Sequence, residues 1–376
     1  MDAGSGARGR SVGGLVLAAA TLASVERGCL TLEPTRHWPD GPVCLYPVME
    51  IAPDPPTTFA ESLMSHRLSG PSRALVLLLL SALAVLIPAA ARAQMELPLV
   101  NLGWLIVPVY LNDEPVALRF VLDTGASWTA VSAGTAARFS KEGGREIEVQ
   151  GASGPTTARL ATVPSIRVGE FTLTDRDVIV LPDQDLVSDD EEFDGILGAD
   201  ILSRFDMLVD APGGSLWLYP QGATPPPAAA AALGTALAVE LLGGRLIRHG
   251  AEVNGSPVRA LLDSGARRML INRVGGIRAG IEIREDSAQT VSPGLGGADL
   301  ELHSGSLGRL EVADTIFSGL RTLVGDLPVF RAMGMQDEPT LIIGAPLLAR
   351  CPVFVAYSAS TIRYCRQPAT QTASAR

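Results

Sequence analysis

The chain contains two copies of one pattern, and this internal repeat limits its possible folds more than any other feature of the sequence. In segment 120–126 three apolar residues lead into Asp-Thr-Gly-Ala, and in segment 260–266 three apolar residues lead into Asp-Ser-Gly-Ala. A turn sequence containing Asn precedes each segment, which predicts a hairpin whose second strand ends at the acid. The two acids, Asp123 and Asp263, are 140 positions apart.

The similarity continues downstream at a constant offset. Segment 195–202 matches 341–348, and segment 205–209 matches 351–355, both at an offset of 146. An offset that holds over this length is hard to obtain by chance, so the sequence predicts a tandem duplication.

Each copy consists of short alternating runs of apolar and polar residues, broken by Gly, Pro and Asp, which is the pattern of β-strands. Helix is expected only at turns near 133–139 and 199–205. We therefore predict an all-β fold of two β-barrel-like lobes, related by a pseudo-twofold axis, with a cleft between them.

The predicted first lobe spans 95–220 and the second spans 237–366. Between them, residues 221–236 are rich in Pro and Ala without an apolar period, which is typical of a linker. The tail 367–376 is predicted to be disordered.

The N-terminal region predicts export. Residues 64–93 have basic residues, an apolar run at 74–87, and small residues before a cleavage position after Ala93, which is the layout of a signal peptide. The apolar run is shorter than the roughly 20 residues of a membrane span, so an uncleaved anchor is the lesser alternative. Residues 1–63 are a doubtful leader: either translation begins at Met64, or they form a disordered extension. We expect a periplasmic or secreted protein without a stable membrane span after cleavage.

Two cysteines, Cys351 and Cys365, remain after the predicted cleavage. The repeat places them on either side of a turn near Ser358, where the first copy has Phe205 and Tyr219. We predict a disulfide between them, replacing a cross-strand aromatic pair, as suits an oxidising compartment. Two free buried thiols are the alternative.

Two acids at matching strand ends indicate catalysis. If the copies pack about a twofold axis, the axis brings Asp123 and Asp263 together, and two carboxylates at close range cannot both ionise. One then serves as a general base for water and the other as a general acid towards a carbonyl group. Gly125 and Gly265 allow a sharp turn that brings backbone amides close to each acid.

These segments resemble the catalytic loops of the aspartic peptidase superfamily, and more closely those of its retropepsin-like branch. The downstream matches resemble the family's hydrophobic-hydrophobic-Gly element, here Ile196-Leu197-Gly198 and Ile342-Ile343-Gly344. The resemblance covers the chain from about Leu97 to Cys365 and implies the bilobal acid-protease fold. It also implies that Thr124 and Ser264 brace the loops against each other, and that no metal or organic cofactor is needed.

The resemblance further implies a flap over the cleft. The candidates are Gly-rich segments after each acid, marked by Gly151 and Gly154 in the first copy and by Gly294 and Gly296 in the second. Neither has the Tyr of pepsin-like flaps. Arg267 and Arg268 also depart from the first copy, and a guanidinium beside the dyad would favour its ionised form.

Other chemistry is disfavoured. The net charge of −10 argues against a nucleic-acid-binding surface. The acidic stretch 183–194 lacks the glycine that an EF-hand loop requires, and the histidines have no cysteine pair nearby, so no metal site is predicted.

Two hypotheses remain. The first is a monomeric aspartic endopeptidase that hydrolyses an extended polypeptide with a water between Asp123 and Asp263. The second is a non-catalytic exported module that grips a peptide or protein in the same groove, favoured by Arg267 and by the absent flap Tyr. Pairing of copies between chains is disfavoured because both acid loops occur in one chain.

Overall fold

The computed structural model describes residues 94–366 except 142, 189–190, 224, 284–287 and 292–299. The predicted leader, signal peptide and C-terminal tail lie outside the described residues, as do Gly294 and Gly296.

Strands dominate both copies, as their alternating sequences predict. In chain order they are β1 Met95–Pro98, β2 Val100–Asn101, β3 Leu105–Leu111, β4 Leu118–Leu122, β5 Ala130–Ser132, β6 Arg145–Gly151, β7 Gly154–Val168, β8 Phe171–Leu181, β9 Val187–Ser188, β10 Glu191–Glu192, β11 Gly195–Leu197, β12 Phe205–Asp210, β13 Ser215–Pro220, β14 Leu237–Ala238, β15 Glu240–Leu242, β16 Leu246–Val253, β17 Ser256–Leu262, β18 Met269–Ile271, β19 Gln289–Val291, β20 Leu300–Val312, β21 Thr315–Val324, β22 Thr340–Ile343, β23 Val353–Ala356 and β24 Thr361–Tyr364.

The helices in the described residues are short. They are α1 Ala133–Phe139, α2 Ala199–Leu202, α3 Pro227–Ala231, α4 Arg273–Arg278, α5 Pro328–Ala332 and α6 Ala345–Leu348, with 3₁₀ turns at Asp183–Leu186 and Tyr357–Ala359. The two copies begin their first helix in the same way. Ser132 accepts a hydrogen bond from the Thr135 amide, and Asn272, at the matching position, accepts one from the Gly275 amide.

Each lobe is one eight-stranded sheet with the same order. The first is β2-β3-β4-β11-β5-β8-β7-β6 and the second is β15-β16-β17-β22-β18-β21-β20-β19; β3 also pairs with β7, and β16 with β20. In both sheets the strand that ends at the acid lies parallel to a short, fully buried strand from further along the chain, β4 with β11 and β17 with β22. This arrangement confirms the predicted bilobal all-β fold.

A six-stranded sheet joins the lobes. Its order is β1-β13-β12-β23-β24-β14, so three strands come from each copy. At its centre Leu208 of β12 pairs with Phe354 of β23, and these residues are equivalent under the offset of 146. A residue that pairs with its own equivalent lies at a twofold axis. The predicted pseudo-twofold axis therefore passes between these two strands.

The segment predicted as a linker contains structure of its own. Helix α3 lies within it, Pro226 precedes that helix, and Leu233 is buried beside Tyr219 and Phe354 under the six-stranded sheet. Leu233 also forms a β-bridge with Cys365. The connection is therefore packed against the joint between the lobes.

Cys351 and Cys365 are joined by a disulfide with their Cα atoms 5.3 Å apart. The aromatic pair expected in the first copy is wrong, because the register differs by one residue. Phe205 pairs with Pro220, and Asp206 pairs with Tyr219. Each ring packs against a different aromatic residue. The ring centroid of Phe205 lies 4.8 Å from that of Phe171, and the centroid of Tyr219 lies 6.0 Å from that of Phe354.

Among the described residues, helices are too short or too polar to cross a membrane.

Candidate active site

The two acids occupy equivalent places, each directly after a buried strand. Asp123 follows β4 and Asp263 follows β17, and both side chains are fully buried. The Asp123 amide donates to the Leu197 carbonyl at 3.0 Å, and the Asp263 amide donates to the Ile343 carbonyl at 2.9 Å. Each acid is thus fixed at its backbone by the neighbouring parallel strand.

Thr124 and Ser264 hold the two loops together through reciprocal hydrogen bonds. The Thr124 hydroxyl donates to the Leu262 carbonyl and accepts from the Ser264 amide, each at 3.0 Å. The Ser264 hydroxyl donates to the Leu122 carbonyl at 2.7 Å and accepts from the Thr124 amide at 3.0 Å. Four buried bonds therefore cross the twofold axis beneath the acids.

The glycine after each bracing residue lies against the opposite acid. A β carbon on Gly125 would come within 2.5 Å of the Asp263 carboxyl carbon, and one on Gly265 would meet the Asp123 carboxyl group as closely. Any larger residue would therefore displace the acid of the other lobe. Backbone amides satisfy the inner oxygens: Gly125 and Ala126 donate to Asp123 Oδ1 at 2.8 and 2.9 Å, and Gly265 donates to Asp263 Oδ1 at 3.0 Å.

The outer oxygens of the two acids have a different environment. Among the described residues no N–H or O–H donates to the buried Oδ2 atom of Asp123 or Asp263. The carboxyl groups instead interact with each other, and a hydrogen bond between them needs a proton on one of the two. The arrangement therefore favours a carboxyl pair that shares a proton.

Burial is the main influence on both acids. It raises the pKa of Asp123 to about 7, although the amides of Gly125 and Ala126 and the Asp263 carboxyl act in the opposite direction. The pKa of Asp263 is raised well above its ordinary value, first by burial and then by the charge of Asp123. In a coupled pair of this kind the two carboxyl groups hold one proton between them.

The hydrophobic-hydrophobic-Gly elements pack directly against the loops. Ile196 and Leu197 form part of β11, Ile342 and Ile343 form part of β22, and Gly198 and Gly344 precede helices α2 and α6. The first residue of each helix returns to the loop, since the Ala199 amide donates to Ala126 and the Ala345 amide to Ala266, both at 2.8 Å. The two copies are equivalent in this respect.

A family model described as aspartyl protease matches the chain twice, at residues 107–201 and 250–347, which together are just over half of its length. The chain belongs to the aspartyl protease family. The two matches follow the two predicted repeats, each containing one acid loop and one hydrophobic-hydrophobic-Gly element. No curated protein matches the chain.

In this family member the first predicted flap is folded down on the second lobe. Gly151 is the last residue of β6 and Gly154 the first of its partner β7. All four residues of the tip between these strands, 151–154, are buried. Ala152 packs in an apolar cluster with Ala266 of the second acid loop, and its carbonyl accepts from the Val329 amide of α5 at 3.4 Å. The tip of the first lobe therefore contacts the acid loop of the second lobe.

Arg267 lies at the boundary between the lobes. Its guanidinium lies over the Trp104 ring of the first lobe, with Cζ 5.4 Å from the ring centroid. The influences on the Asp263 pKa are burial, Asp123 and the amides of Gly265 and Ala266. Arg268 is exposed.

Two residues behind the first loop were missed by the sequence reasoning. Thr129 donates its amide and hydroxyl to Asp200 at 2.8 and 2.7 Å, and its hydroxyl accepts from the Gly198 amide at 3.1 Å. Burial raises the pKa of Asp200, while Thr129 and the charge of Arg245 lower it. The signal was present in the repeat, because the second copy has Met269 and Pro346 at the matching positions.

The acidic stretch 183–194 has a structural role near the same lobe. Asp183 accepts from the Gly134 amide at 2.9 Å, and Asp194 accepts from the Arg119 amide at 2.8 Å. These carboxylates hold the start of helix α1 and the strand that leads to Asp123.

Proposed function

We propose that this chain is an exported, monomeric aspartic endopeptidase in which Asp123 and Asp263 activate one water molecule. The observation that carries the proposal is the pair of buried carboxyl groups facing each other across the twofold axis, each held by its own loop amides. Both halves of the site come from one chain, so a single copy suffices.

The two acids take different roles, because only one of them carries the shared proton. Asp123, with a pKa of about 7, takes a proton from water while the water oxygen attacks the carbonyl carbon of the peptide bond. Asp263 keeps its proton longer and gives it to the carbonyl oxygen. The proton on Asp123 then passes to the leaving nitrogen as the C–N bond breaks. One hydroxyl group of the tetrahedral intermediate returns its proton to Asp263, which forms the carboxylic acid product and restores the starting charge of the pair.

This division of roles gives a pH dependence with a definite sign. Below about pH 7 Asp123 gains a proton and stops acting as a base, so activity falls with acidification. Well above it Asp263 loses its proton, and activity falls again. A bell-shaped profile of kcat/KM with its rising limb near neutrality is expected. An optimum near pH 3 would contradict the assignment.

The substrate proposed is an extended polypeptide lying between the lobes under the hairpin tip 151–154. Because that tip packs against the second lobe, it must lift for the substrate to enter. Buried apolar residues near the loops favour apolar side chains beside the cleaved bond. Export is proposed from the predicted signal peptide, and the disulfide suits it.

The decisive experiment compares Asp123→Asn and Asp263→Asn with the unaltered protein on an unfolded protein substrate. Each variant should lose at least about 10³-fold in kcat, because neither role survives without its carboxyl group. Asp175→Asn is a matched control, since this exposed residue has a φ of 49°, which Asn tolerates. Fragments should be identified by mass spectrometry. Equal cleavage by all four proteins would leave the activity without its proposed source.

N-terminal sequencing of the exported protein tests the second part of the proposal. The mature chain should begin at Gln94. A start well before it would contradict cleavage after Ala93.

One of the two observations that favoured the non-catalytic alternative, the position of Arg267, is weakened by the structure. It depended partly on Arg267 disturbing the dyad, and the Arg267 guanidinium lies instead over Trp104.

A further inference from the structure

Arg245 belongs to the second lobe but contacts the catalytic loop of the first. It lies between β15 and β16, directly after Gly243 and Gly244, whose φ angles of 58° and 74° form a tight turn. Its Nη1 atom donates to the Ser127 carbonyl at 3.1 Å. Its Cζ atom lies 5.1 Å from the centroid of the Trp128 ring. Both contacts fall just after the Asp123 loop.

The charge of Arg245 also acts on a partly buried carboxylate. Burial raises the pKa of Asp200, and Arg245 is among the groups that lower it. Asp200 in turn holds Thr129 through two short hydrogen bonds. Removing Arg245 would leave this carboxylate with less compensating charge, so the support of the first loop depends in part on a charge from the opposite lobe.

The contacts of Arg245 lead to Asp123 in two short steps. The main chain of Trp128 lies against Gly198, where an added β carbon would come within 2.5 Å of the Trp128 carbonyl carbon. Gly198 follows Leu197, whose carbonyl accepts the Asp123 amide at 3.0 Å. A displacement of Trp128 would therefore reach the backbone that orients the acid.

A second arginine–tryptophan contact joins the lobes beside the other acid loop, with the two residue types in exchanged positions. There Arg267 comes from the second catalytic loop and Trp104 from the first lobe, with the guanidinium also close to Gly103. At both crossings the arginine belongs to the second lobe and the tryptophan to the first. Each of the two loops is thus connected to the other lobe by one cation–π contact.

We propose that Arg245 is a positioning residue for the first catalytic loop, holding Ser127 and Trp128 in place and balancing Asp200 across the boundary between the lobes. The inference rests on the proposed peptidase function, because it concerns the orientation of Asp123 in the same site. It adds that the first acid is oriented from the second lobe.

The kinetic test uses Arg245→Ala and Arg245→Lys. The alanine variant should lose between about 10- and 100-fold in kcat with KM changed less than about threefold, since a displaced acid impairs the chemical step. Lysine keeps the positive charge, so Arg245→Lys should recover at least about fivefold of that loss. Arg204→Ala is the control, because exposed Arg204 also carries a positive charge near Asp200, but its hydrogen bond, to the Asp200 carbonyl at 3.4 Å, is made within the first lobe. It should remain within about twofold of the unaltered protein.

A second measurement does not depend on activity. Urea unfolding of Arg245→Ala, Asp200→Asn and the double variant should show a coupling of about tenfold in the unfolding equilibrium constant, because Asn needs no cation. Additive effects would overturn the proposal, as would an equal kcat loss in Arg204→Ala or a change in KM alone. If the unaltered protein cleaves nothing, the peptidase proposal fails, while the coupling still decides whether Arg245 balances Asp200.

Discussion

The two acid loops share the same bracing and the same strand pairing but have different support behind them. Behind the first loop, the Gly198 amide donates to the Thr129 hydroxyl, and a partly buried carboxylate, Asp200, holds that threonine. Behind the second, the Gly344 amide contacts the Met269 sulfur at 3.4 Å. A polar network and a single apolar side chain thus fill the same place in the two lobes.

The difference shows what a duplicated fold must keep and what it is free to change. The bracing hydroxyls and the loop glycines contact the opposite loop across the twofold axis, and the parallel strand pair behind each loop is repeated within each lobe. The residues behind the loops lie off the axis and touch only their own lobe or the neighbouring turn. The polar arrangement includes a carboxylate whose pKa the charge of Arg245 lowers, whereas Met269 carries no charge.

The largest expected effect tests whether the two loops are equivalent at the axis. Gly125→Ala and Gly265→Ala should each lower kcat by at least about 10³-fold, because the new methyl group occupies the place of the opposite carboxyl group. Gly222→Ala is a control away from the acids, with no atom within 4 Å of an added β carbon, although its φ of 81° adds some strain. Activity retained in one of the two glycine variants would show that the loops are not equivalent.

Removing the bracing hydroxyls tests the same symmetry through stability. Thr124→Val and Ser264→Ala should each lower the free energy of unfolding by about 3 kcal/mol, because each leaves buried amide and carbonyl groups without partners. Urea unfolding measures both. Exposed Thr172 offers a control, since Thr172→Val should change stability by less than about 0.5 kcal/mol. Unequal losses in the two bracing variants would show that one lobe carries more of the joint.

The disulfide distinguishes the C-terminal hairpins of the two copies. Replacing Cys351 and Cys365 by Ser should lower the free energy of unfolding by about 2 to 3 kcal/mol, as expected for a closed loop of this length. The same positions in the first copy have no covalent link. Unchanged stability, with two free thiols in the unaltered protein by mass spectrometry, would contradict the pairing.

A buried histidine gives the second lobe a pH dependence that the first lacks. His249 occupies the position of Val107, its Nε2 atom is 2.9 Å from the Tyr364 hydroxyl, and burial lowers its pKa to about 4. Because the folded pKa lies below the ordinary value of 6.5, this stabilisation is present above pH 6.5 and is lost as pH falls towards 4.

Acidification from pH 7.5 to 5 should therefore cost about 2 kcal/mol of stability through His249. His249→Val, which inserts the residue of the first lobe, should remove this part of the pH dependence in urea titrations. The dyad acts in the opposite direction, since its raised pKa values lower stability as pH rises through about 7. An unchanged slope between pH 7.5 and 5 would show that His249 does not titrate in this way.

Much of the fold could be predicted from the sequence, because a sequence repeat implies two copies of the same structure. Equal offsets predicted the two lobes and the axis, and the axis brings Asp123 and Asp263 together without further information. That these acids catalyse remains a prediction. The hairpin register was missed because pattern matching aligned Phe205 with Cys351 but could not position the strands within one residue.

The contacts across the lobes could not be read from the sequence. Arg245 and Ser127 are 118 positions apart, and their contact depends on how two whole sheets meet. Asp200 could have been found by asking where the copies disagree, since an acid opposite Pro346 in an otherwise apolar element requires an explanation.

The two arginine–tryptophan contacts favour the pairing of a first lobe with a second lobe over the pairing of two identical lobes. Two first lobes placed about the axis would bring tryptophans together without a cation, and two second lobes would bring Arg245 towards Arg267. If the connection were cut, like halves would repel or fit poorly, and only unlike halves would reassociate. The pairing of unlike lobes is in this way specified by individual side chains at both contacts.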